Sequence, residues 1–442
     1  MCFAAGAISC KHNLLHFTAS KYDGEKRMNL KYLKHLRPTV ETAWALALGI
    51  FAGTVFYFSA KAPHQNFDYT YRIAQALLSG HVGLNNHPGS WLNELVPFEG
   101  KFYSVFPFGA VLANLPYALL QKMNLIQLWP ARSFAAIIAG GCVYFCYRLT
   151  FVAQMSRARR VLLGLSPVFA TFTWANLGFA GAWQIALGFA LLGQVASLYF
   201  TLVRPRPILA GIFFALAFGN RVELVLVTPI FLFYWFFREE QTTTPPPTGA
   251  WHVRYRPQLI RTAKFIAIPA LTLMAMAAYN YARFHSVTDF GYARIPGVLN
   301  EPWYRHGLFS YHAIPWNVHK MLFEGVADHP VWPYMRFFPF GCSIFVASPI
   351  LFLLFRGGGT HRVACWLAIF GLTLVLWFHG NPGGWQYSYR YAMILLPWIF
   401  LLIIENGPRR LTPTEGGIFL ASLYINAIAV YEFLWPNTIV HV

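Results

Sequence analysis

The amino-acid sequence predicts an all-α polytopic membrane protein with about 11 transmembrane helices. Hydrophobic residues make up 57% of the 442 residues, and charged residues make up only 11%. Apolar stretches near the ~20 residues needed to cross a bilayer recur along the whole chain. The lysines and arginines behind the net charge of +18 fall in short clusters between these stretches. Such clusters are typical of cytoplasmic loops and not of a nucleic-acid-binding surface, so nucleic acid is not a predicted partner.

The chain opens with a basic arm, residues 1–39, ahead of a first predicted span over residues 40–59. The apolar stretch at residues 2–8 is too short for a span and has no basic region before it, so it is not read as a signal peptide. Met28 is a second candidate for the initiating methionine, because basic residues still precede the first predicted span if the chain begins there. The flank predicts a cytoplasmic N-terminus and a multi-pass protein of the cytoplasmic membrane.

A first outer loop with juxtamembrane helices is predicted over residues 61–130. As a helix, residues 67–79 carry polar and apolar side chains on opposite sides, which suits a helix lying at a membrane surface. The polar side holds Asp68, Arg72, Gln75 and Ser79, and the apolar side holds Ile73, Ala74, Leu77 and Leu78. The next run, residues 105–120, contains two prolines and a glycine. We expect it to dip into the outer interface, which keeps the arginines of residues 148–160 in the cytoplasm.

The rest of the chain continues as one membrane domain, residues 40–436, followed by a tail, 437–442. The further predicted spans are 131–149, 161–177, 182–203, 207–220, 222–236, 264–283, 338–355, 363–379, 390–405 and 415–434. This orientation places most basic residues in the cytoplasm and the C-terminus outside. Residues 237–263 contain a TTTPPP run and are predicted to be a cytoplasmic linker, and residues 284–337 a second outer loop.

Charged side chains outside the cytoplasmic clusters concentrate on the predicted outer face, where we expect any chemistry. The sequence contains no GxxxxGK[ST], GxGxxG or GxSxG motif, and therefore gives no support for nucleotide-driven or triad chemistry. The six cysteines show no CxxC pair, and neither they nor the histidines have the spacing of metal ligands. No metal and no cofactor are therefore predicted.

Asp68 is the first acid after the first span, and two interpretations of it are open. An Asp near a helix start commonly caps backbone N–H groups or pairs with an Arg four residues on, here Arg72. Alternatively its carboxylate does chemistry at the outer membrane face.

Two arginines near predicted spans are further candidates. Arg221 and Glu223 interrupt an apolar run whose ends both carry cytoplasmic arginines, so they are expected at a hairpin turn near the outer leaflet, either lining a cavity or simply solvated. Arg390 lies between tyrosines at the start of a span. It suits bidentate phosphate binding or an interfacial anchor. The aromatic residues of the loop at 284–337 suit carbohydrate rings and an interfacial loop equally well.

Three stretches carry a family resemblance: NFDYTYRIAQALLSG at 66–80, GKFYSVFPFGAVLANLPY at 100–117 and YRYAMILLPW at 389–398. With the order of the spans, they resemble membrane-embedded GT-C glycosyltransferases related to protein mannosyltransferases and to aminoarabinose transferases acting on lipid A. Many of these relatives carry two adjacent acids in the first outer loop, whereas Asp68 stands alone beside Asn66. This difference weakens a metal-dependent version of the reaction.

The resemblance implies transfer of a sugar from a polyprenyl-phosphate donor to a glycan, lipid or protein acceptor outside the membrane. Its partners would be the lipid-linked donor, the acceptor and membrane lipids. Asp68 would be the general base. The substrate- and phosphate-binding residues would be Arg72, Lys101, Tyr103, Arg221, Glu223, Tyr389 and Arg390.

Two other functions are compatible with the sequence. A transporter or flippase of lipid-linked sugars would explain the Arg221/Glu223 pair, but it leaves the long first outer loop unexplained, and no internal repeat is visible. An enzyme of the polysaccharide ligase or polymerase type would use arginines and histidines of the outer loops in place of Asp68.

Overall fold

The computed structural model describes residues 38–59, 67–89, 94–127, 131–237, 255–338, 341–384 and 386–435. Most of the predicted basic arm, the linker core 238–254 and the tail 437–442 lie outside these residues. Contacts divide the chain into two units, residues 1–46 and 47–442. The first helix runs across this division, and all the contacts described below lie within the second unit.

The α-helices follow one another along the chain with few strands between them. They are α1 Pro38–Ser59, α2 Tyr69–Leu78, α3 Phe108–Leu112, α4 Leu115–Lys122, α5 Ala131–Leu149, α6 Arg157–Phe169, α7 Thr173–Phe179, α8 Ala182–Leu198, α9 Pro207–Asn220, α10 Thr228–Phe237, α11 Arg256–Phe284, α12 Ile314–Val318, α13 Ile344–Ala347, α14 Arg362–Phe378, α15 Leu396–Asn406 and α16 Pro413–Leu434. The strands are β1 Leu95–Phe98, β2 Lys101–Ser104, β3 Ala327–Asp328 and β4 Met335–Arg336.

Five helical segments of the described chain are long and apolar enough to cross a membrane. They are Val40–Ser59, Ala131–Val152, Ala182–Val203, Arg256–Phe284 and Pro413–Leu434. The pair α6 and α7, bent by 48°, makes a sixth if it is counted as one span. The protein is therefore a mostly helical, polytopic membrane protein.

The other predicted spans correspond to shorter or interrupted helices. The helices α9, α14 and the segment Val222–Phe237 are apolar but short. The predicted span 390–405 is a 3₁₀ turn, Arg390–Leu395, followed by α15, and the one at 338–355 is α13 followed by a 3₁₀ segment, Pro349–Phe355. Pro349 and Pro397 sit in the first turns of these segments, where proline's missing N–H costs no helical hydrogen bond. A count of 11 spans thus stays a prediction.

Small residues let the central helices approach closely, as is common between membrane helices. A Cβ atom on Gly193 of α8 would lie 2.5 Å from the carbonyl oxygen of Phe213 in α9. A Cβ atom on Gly211 of α9 would lie 2.3 Å from the carbonyl oxygen of Phe265 in α11. Both distances are shorter than a van der Waals contact, so α9 is held against α8 and α11 by backbone contact.

The described residues of the predicted first outer loop, 61–130, fold into small elements that pack on the helix bundle. Strands β1 and β2 form an antiparallel hairpin in which Leu95 pairs with Ser104. The predicted dip at 105–120 is represented by α3 and α4. The longer of the two, α4, has 8 residues and so extends about 12 Å, against the roughly 30 Å of a bilayer core.

The amphipathic helix predicted at 67–79 is observed as α2, but its apolar side packs against protein. Ile73 and Ala74 are fully buried, together with Tyr69, Thr70 and Tyr71 of the first turn. The polar side of α2 is tied to α4, since Gln75 donates to Gln121 Oε1 over 2.6 Å. The helix is therefore part of the folded core of this loop and does not rest its apolar side on lipid.

Residues predicted to face the cytoplasm also come together. Arg159 is 1% exposed and its guanidinium lies 3.1 Å from the carboxylate of Glu415, which also receives Arg356 at 2.7 Å. Arg159 Nη2 donates to the carbonyl oxygen of Ile403 over 2.9 Å. Arg159, Arg356 and Glu415 thus form a charge network that is largely buried. The sequence pattern indicates only solvated charges at these positions.

Candidate functional site

Two adjoining cavities lie where elements predicted to face outward meet. One has a volume of about 280 Å³ and the other of about 450 Å³. Both are lined by the same four side chains, Glu94, Trp183, Tyr292 and Tyr391. These residues come from the start of β1, the start of α8, the second outer loop and the turn before α15. Gly109 brings α3 close to α9, whose last residue Asn220 also lines the smaller cavity, because a Cβ at Gly109 would lie 2.4 Å from the backbone of Gly219.

The two cavities differ in the chemistry of their walls. The smaller one, here called the apolar cavity, is lined mainly by hydrophobic side chains, among them Val105, Phe106, Val222, Phe290, Leu308, Phe309, Val375 and Leu376. The larger one, here called the polar cavity, includes Gln184, Glu301, Asn381 and Arg390. An amphiphilic ligand with an apolar and a hydroxylated part matches this division.

The hairpin turn after α9 places a charged pair in the wall of the apolar cavity. Arg221 and Glu223 form an ion pair of 2.6 Å, and both side chains are partly accessible. The guanidinium carbon of Arg221 lies 5.0 Å from the centroid of the Tyr391 ring. The helix α9 ends at Asn220, and the turn after it lines the apolar cavity together with Glu94 and Tyr292 of the two predicted outer loops.

Arg390 approaches the same tyrosine from the polar cavity. Its guanidinium carbon lies 5.2 Å from the Tyr391 centroid and 5.7 Å from that of Trp183. Its Nη1 donates to the carbonyl oxygen of Gly384 over 3.0 Å. Its buried Nε has no hydrogen-bond partner in the described part of the chain, and the same holds for the Oε1 atom of Gln184. Unsatisfied buried polar atoms are uncommon, and here they border a cavity.

Glu94 is the carboxylate that borders both cavities. Its Oε2 accepts a hydrogen bond of 2.7 Å from the indole N–H of Trp183. Burial raises the pKa of Glu94 to about 7, although Trp183 and the positive charge of Arg390 act in the opposite direction. Half-ionised near neutral pH, this carboxyl group has the pKa expected of a general base or acid.

Asp68 lies at the start of α2 and is 3% exposed. Its Oδ1 accepts a hydrogen bond of 2.8 Å from Arg72 Nε, and its side chain makes no capping hydrogen bond. Burial raises the pKa of Asp68, and Arg72 partly offsets this. Among the described residues, neither Asp68 nor Arg72 lines either cavity, whereas the preceding residue, Phe67, lines the polar one.

Three other predicted site residues, Lys101, Tyr103 and Tyr389, also do not line either cavity. Lys101 and Tyr103 belong to β2, and the Tyr103 ring packs 5.6 Å from that of Phe284. The Tyr389 hydroxyl lies 3.0 Å from Asn317 Oδ1 in α12 and is fully enclosed. Tyr389 thereby connects the turn before Arg390 to the second outer loop.

The structure thus brings Arg221, Glu223 and Arg390 together with Glu94, Trp183 and Glu301, which the sequence-based set omits. Glu94 was recognisable only as one of several acids of the outer loops, and Trp183 as one aromatic residue at a span end. No local spacing distinguishes either of them. Within the residues described, no group of three or more His, Cys, Asp or Glu side chains is placed to hold a metal ion.

Fold and site define a polytopic membrane protein with adjoining charged and apolar cavities formed by loops and by the ends of helices. No protein-family model and no curated protein matches the sequence. A solved structure of the archaeal oligosaccharyltransferase AglB from Archaeoglobus fulgidus, in complex with an inhibitory peptide and a dolichol-phosphate, is similar with a TM-score of 0.40 and 12% identity. The similarity covers 89% of this chain and 56% of that one, so this chain matches little more than half its length.

Proposed function

We propose that the protein is a membrane glycosyltransferase of the GT-C type that moves a sugar from a polyprenyl-phosphate donor to an acceptor on the outer face of the membrane. The observation that supports this best is the pair of adjoining cavities. An apolar cavity and a polar cavity share a carboxylate, Glu94, and an arginine borders each of them. A lipid-linked sugar donor matches this arrangement, because its prenyl chain is apolar, its phosphate is anionic and its sugar is polar.

The donor is placed with its prenyl chain toward the apolar cavity and its sugar in the polar one. Its phosphate lies near Tyr391, between the guanidinium groups of Arg221 and Arg390. Transfer breaks the bond between the sugar's anomeric carbon and the phosphate oxygen, and the electron pair stays on the phosphate. The leaving group gains negative charge, which nearby arginines stabilise more strongly than they stabilise the intact donor. Arg390, whose Nε is unpartnered among described residues, is best suited to this contact.

The acceptor hydroxyl forms the new bond to the anomeric carbon and must lose its proton. We assign this proton to the carboxylate of Glu94, because it borders both cavities and because its pKa of about 7 suits proton transfer near neutral pH. The sequence-based hypothesis assigns the same role to Asp68. The ion pair of Asp68 with Arg72 favours a structural role instead, so Glu94 is the better-supported candidate.

The test is a transfer assay with purified full-length protein in lipid nanodiscs, a radiolabelled polyprenyl-phosphate sugar and a panel of acceptors. Arg390→Ala should lower kcat/KM roughly a hundredfold, which corresponds to about 3 kcal/mol of lost stabilisation of the leaving phosphate. Arg410→Ala is the matched control, since Arg410 is exposed and predicted to be cytoplasmic, and it should transfer normally. Normal transfer by Arg390→Ala would leave Arg390 as an interfacial anchor. Label that crosses a proteoliposome membrane without being transferred would favour the flippase alternative.

A further inference from the structure

A third cavity lies in the second outer loop, apart from the two just described. It has a volume of about 250 Å³ and is open to the surface. Its walls include Trp303, His306, Ser310, His312, Trp316 and Gly380. We call it the aromatic cleft. Neither the transfer chemistry nor the donor placement uses these side chains.

Two tryptophans form one side of the aromatic cleft. The rings of Trp303 and Trp316 lie 6.5 Å apart at an interplanar angle of 26°, and the residues are 41% and 44% exposed. Exposed tryptophans in a concave surface are unusual unless they contact a ligand or a lipid. Lys320 Nζ lies 4.9 Å from the centroid of the Trp316 ring, a cation–π contact that favours this orientation of the ring.

The other side of the cleft supplies hydrogen-bonding groups. The imidazoles of His306 and His312 stack with centroids 4.1 Å apart, and the Ser310 hydroxyl lies beside them. Flat aromatic faces combined with hydrogen-bonding side chains match a pyranose ring, which has an apolar C–H face and a rim of hydroxyl groups. A lipid acyl chain would offer no hydrogen bond to the imidazoles or to the Ser310 hydroxyl, which itself accepts from the backbone N–H of His312 over 3.2 Å.

The aromatic cleft is separated from the donor cavities by a thin wall. Gly380 lines the cleft, while its neighbours His379 and Asn381 line the apolar and the polar cavity. Gly380 packs so closely on Tyr304 that a Cβ atom would lie 2.7 Å from its ring. The Tyr304 hydroxyl is 2.9 Å from that of Tyr292, which lines both donor cavities. The aromatic cleft and the donor cavities therefore adjoin through residues 379–381 and through the contact between Tyr304 and Tyr292.

We infer that the aromatic cleft is a glycan subsite that binds a pyranose ring of the acceptor away from the reacting hydroxyl. The inference rests on the proposed function and narrows it, because it makes the acceptor a glycan and not a protein or a simple lipid. The tryptophan faces provide stacking, and the histidines and Ser310 provide hydrogen bonds to the hydroxyl groups of the ring.

A binding experiment with small glycosides tests the proposed subsite independently of the transfer reaction. Full-length protein in nanodiscs is titrated with methyl β-glycosides of hexoses and N-acetylhexosamines and with their disaccharides, and saturation-transfer NMR reports the bound protons. At least one probe should bind through ring C–H protons, and Trp303→Ala and Trp316→Ala should each weaken it at least tenfold. Trp332→Ala is the control, because Trp332 is 61% exposed in the same loop and does not line the cleft, and it should leave binding unchanged.

A second readout separates this inference from the proposed function. In the transfer assay, Trp303→Ala and Trp316→Ala should raise the acceptor KM at least tenfold, with little change in kcat or in the KM for the donor. Binding of none of the glycosides, or equal binding by the wild type and both tryptophan variants, would overturn the subsite even if transfer is demonstrated. Specific glycan binding in a protein without transfer would overturn the proposed function and the acceptor role, while the cleft would remain a glycan site.

Discussion

The sharpest test of the proposed reaction is the pH dependence of transfer in Glu94 variants. The pKa of Glu94 is raised from 4.5 to about 7 by burial. A base is active when deprotonated, so kcat/KM should be low at pH 6 and rise through pH 7 to a plateau above pH 8. The ionised fraction of a group with this pKa increases roughly tenfold from pH 6 to pH 8, and the rate should follow it.

Glu94→Gln removes the base but preserves size, and should lower transfer at pH 8 by roughly 10²–10⁴-fold and abolish the rise through pH 7. Trp183→Phe retains an aromatic ring but removes the N–H that donates to Glu94 over 2.7 Å, so the pKa of Glu94 should increase and the rise in kcat/KM should move to higher pH. Glu99→Gln is the matched control five residues along the chain, with an exposed carboxylate paired to His285, and should transfer normally.

The same assay decides between the two candidate bases. Asp68→Asn breaks the ion pair with Arg72, so we expect lower stability and a transfer rate per folded molecule within a few-fold of the wild type. The reasoning would be refuted if Glu94→Gln transferred normally with an unchanged pH profile. If Asp68→Asn alone lost roughly 10²–10⁴-fold of its activity while folding normally, the base would be Asp68, as the sequence-based hypothesis has it.

Three further predictions follow from other parts of the structure. Arg390→Lys should recover only part of the transfer lost in Arg390→Ala, because an ammonium group cannot form the two parallel hydrogen bonds of a guanidinium. Comparing kcat/KM of the two variants in the transfer assay measures this recovery. Glu415→Gln should destabilise the protein by about 3 kcal/mol, since it leaves Arg159 buried without an opposing charge, and thermal unfolding in nanodiscs should show a lower Tm than that of the wild type. In intact cells, an impermeant thiol reagent should label Leu299→Cys but not Arg157→Cys in a cysteine-free background, and the reverse pattern would invert the predicted topology.

The sequence alone was sufficient for the properties that depend on local pattern. Apolar stretches predict a polytopic helical protein, and the structure confirms that class with five segments long enough to span. Proline and glycine content predicted that residues 105–120 do not form a regular span, and the short α3 and α4 agree with this. Hydrophobicity, charge clusters and breakers act over one or two helical turns, so they can be recognised without knowing which elements become neighbours.

Only the tertiary structure decided which side chains share a site. Asp68 and Glu94 lie in the same predicted loop, and by sequence either could be the general base. In the folded protein Asp68 is buried against Arg72, whereas Glu94 contacts Trp183 and lines the cavities. Likewise, Arg159 meets Glu415 across 256 residues of chain. Contacts between distant residues are fixed by close packing of helices, at positions such as Gly109 against Gly219, and no periodicity in the sequence specifies them.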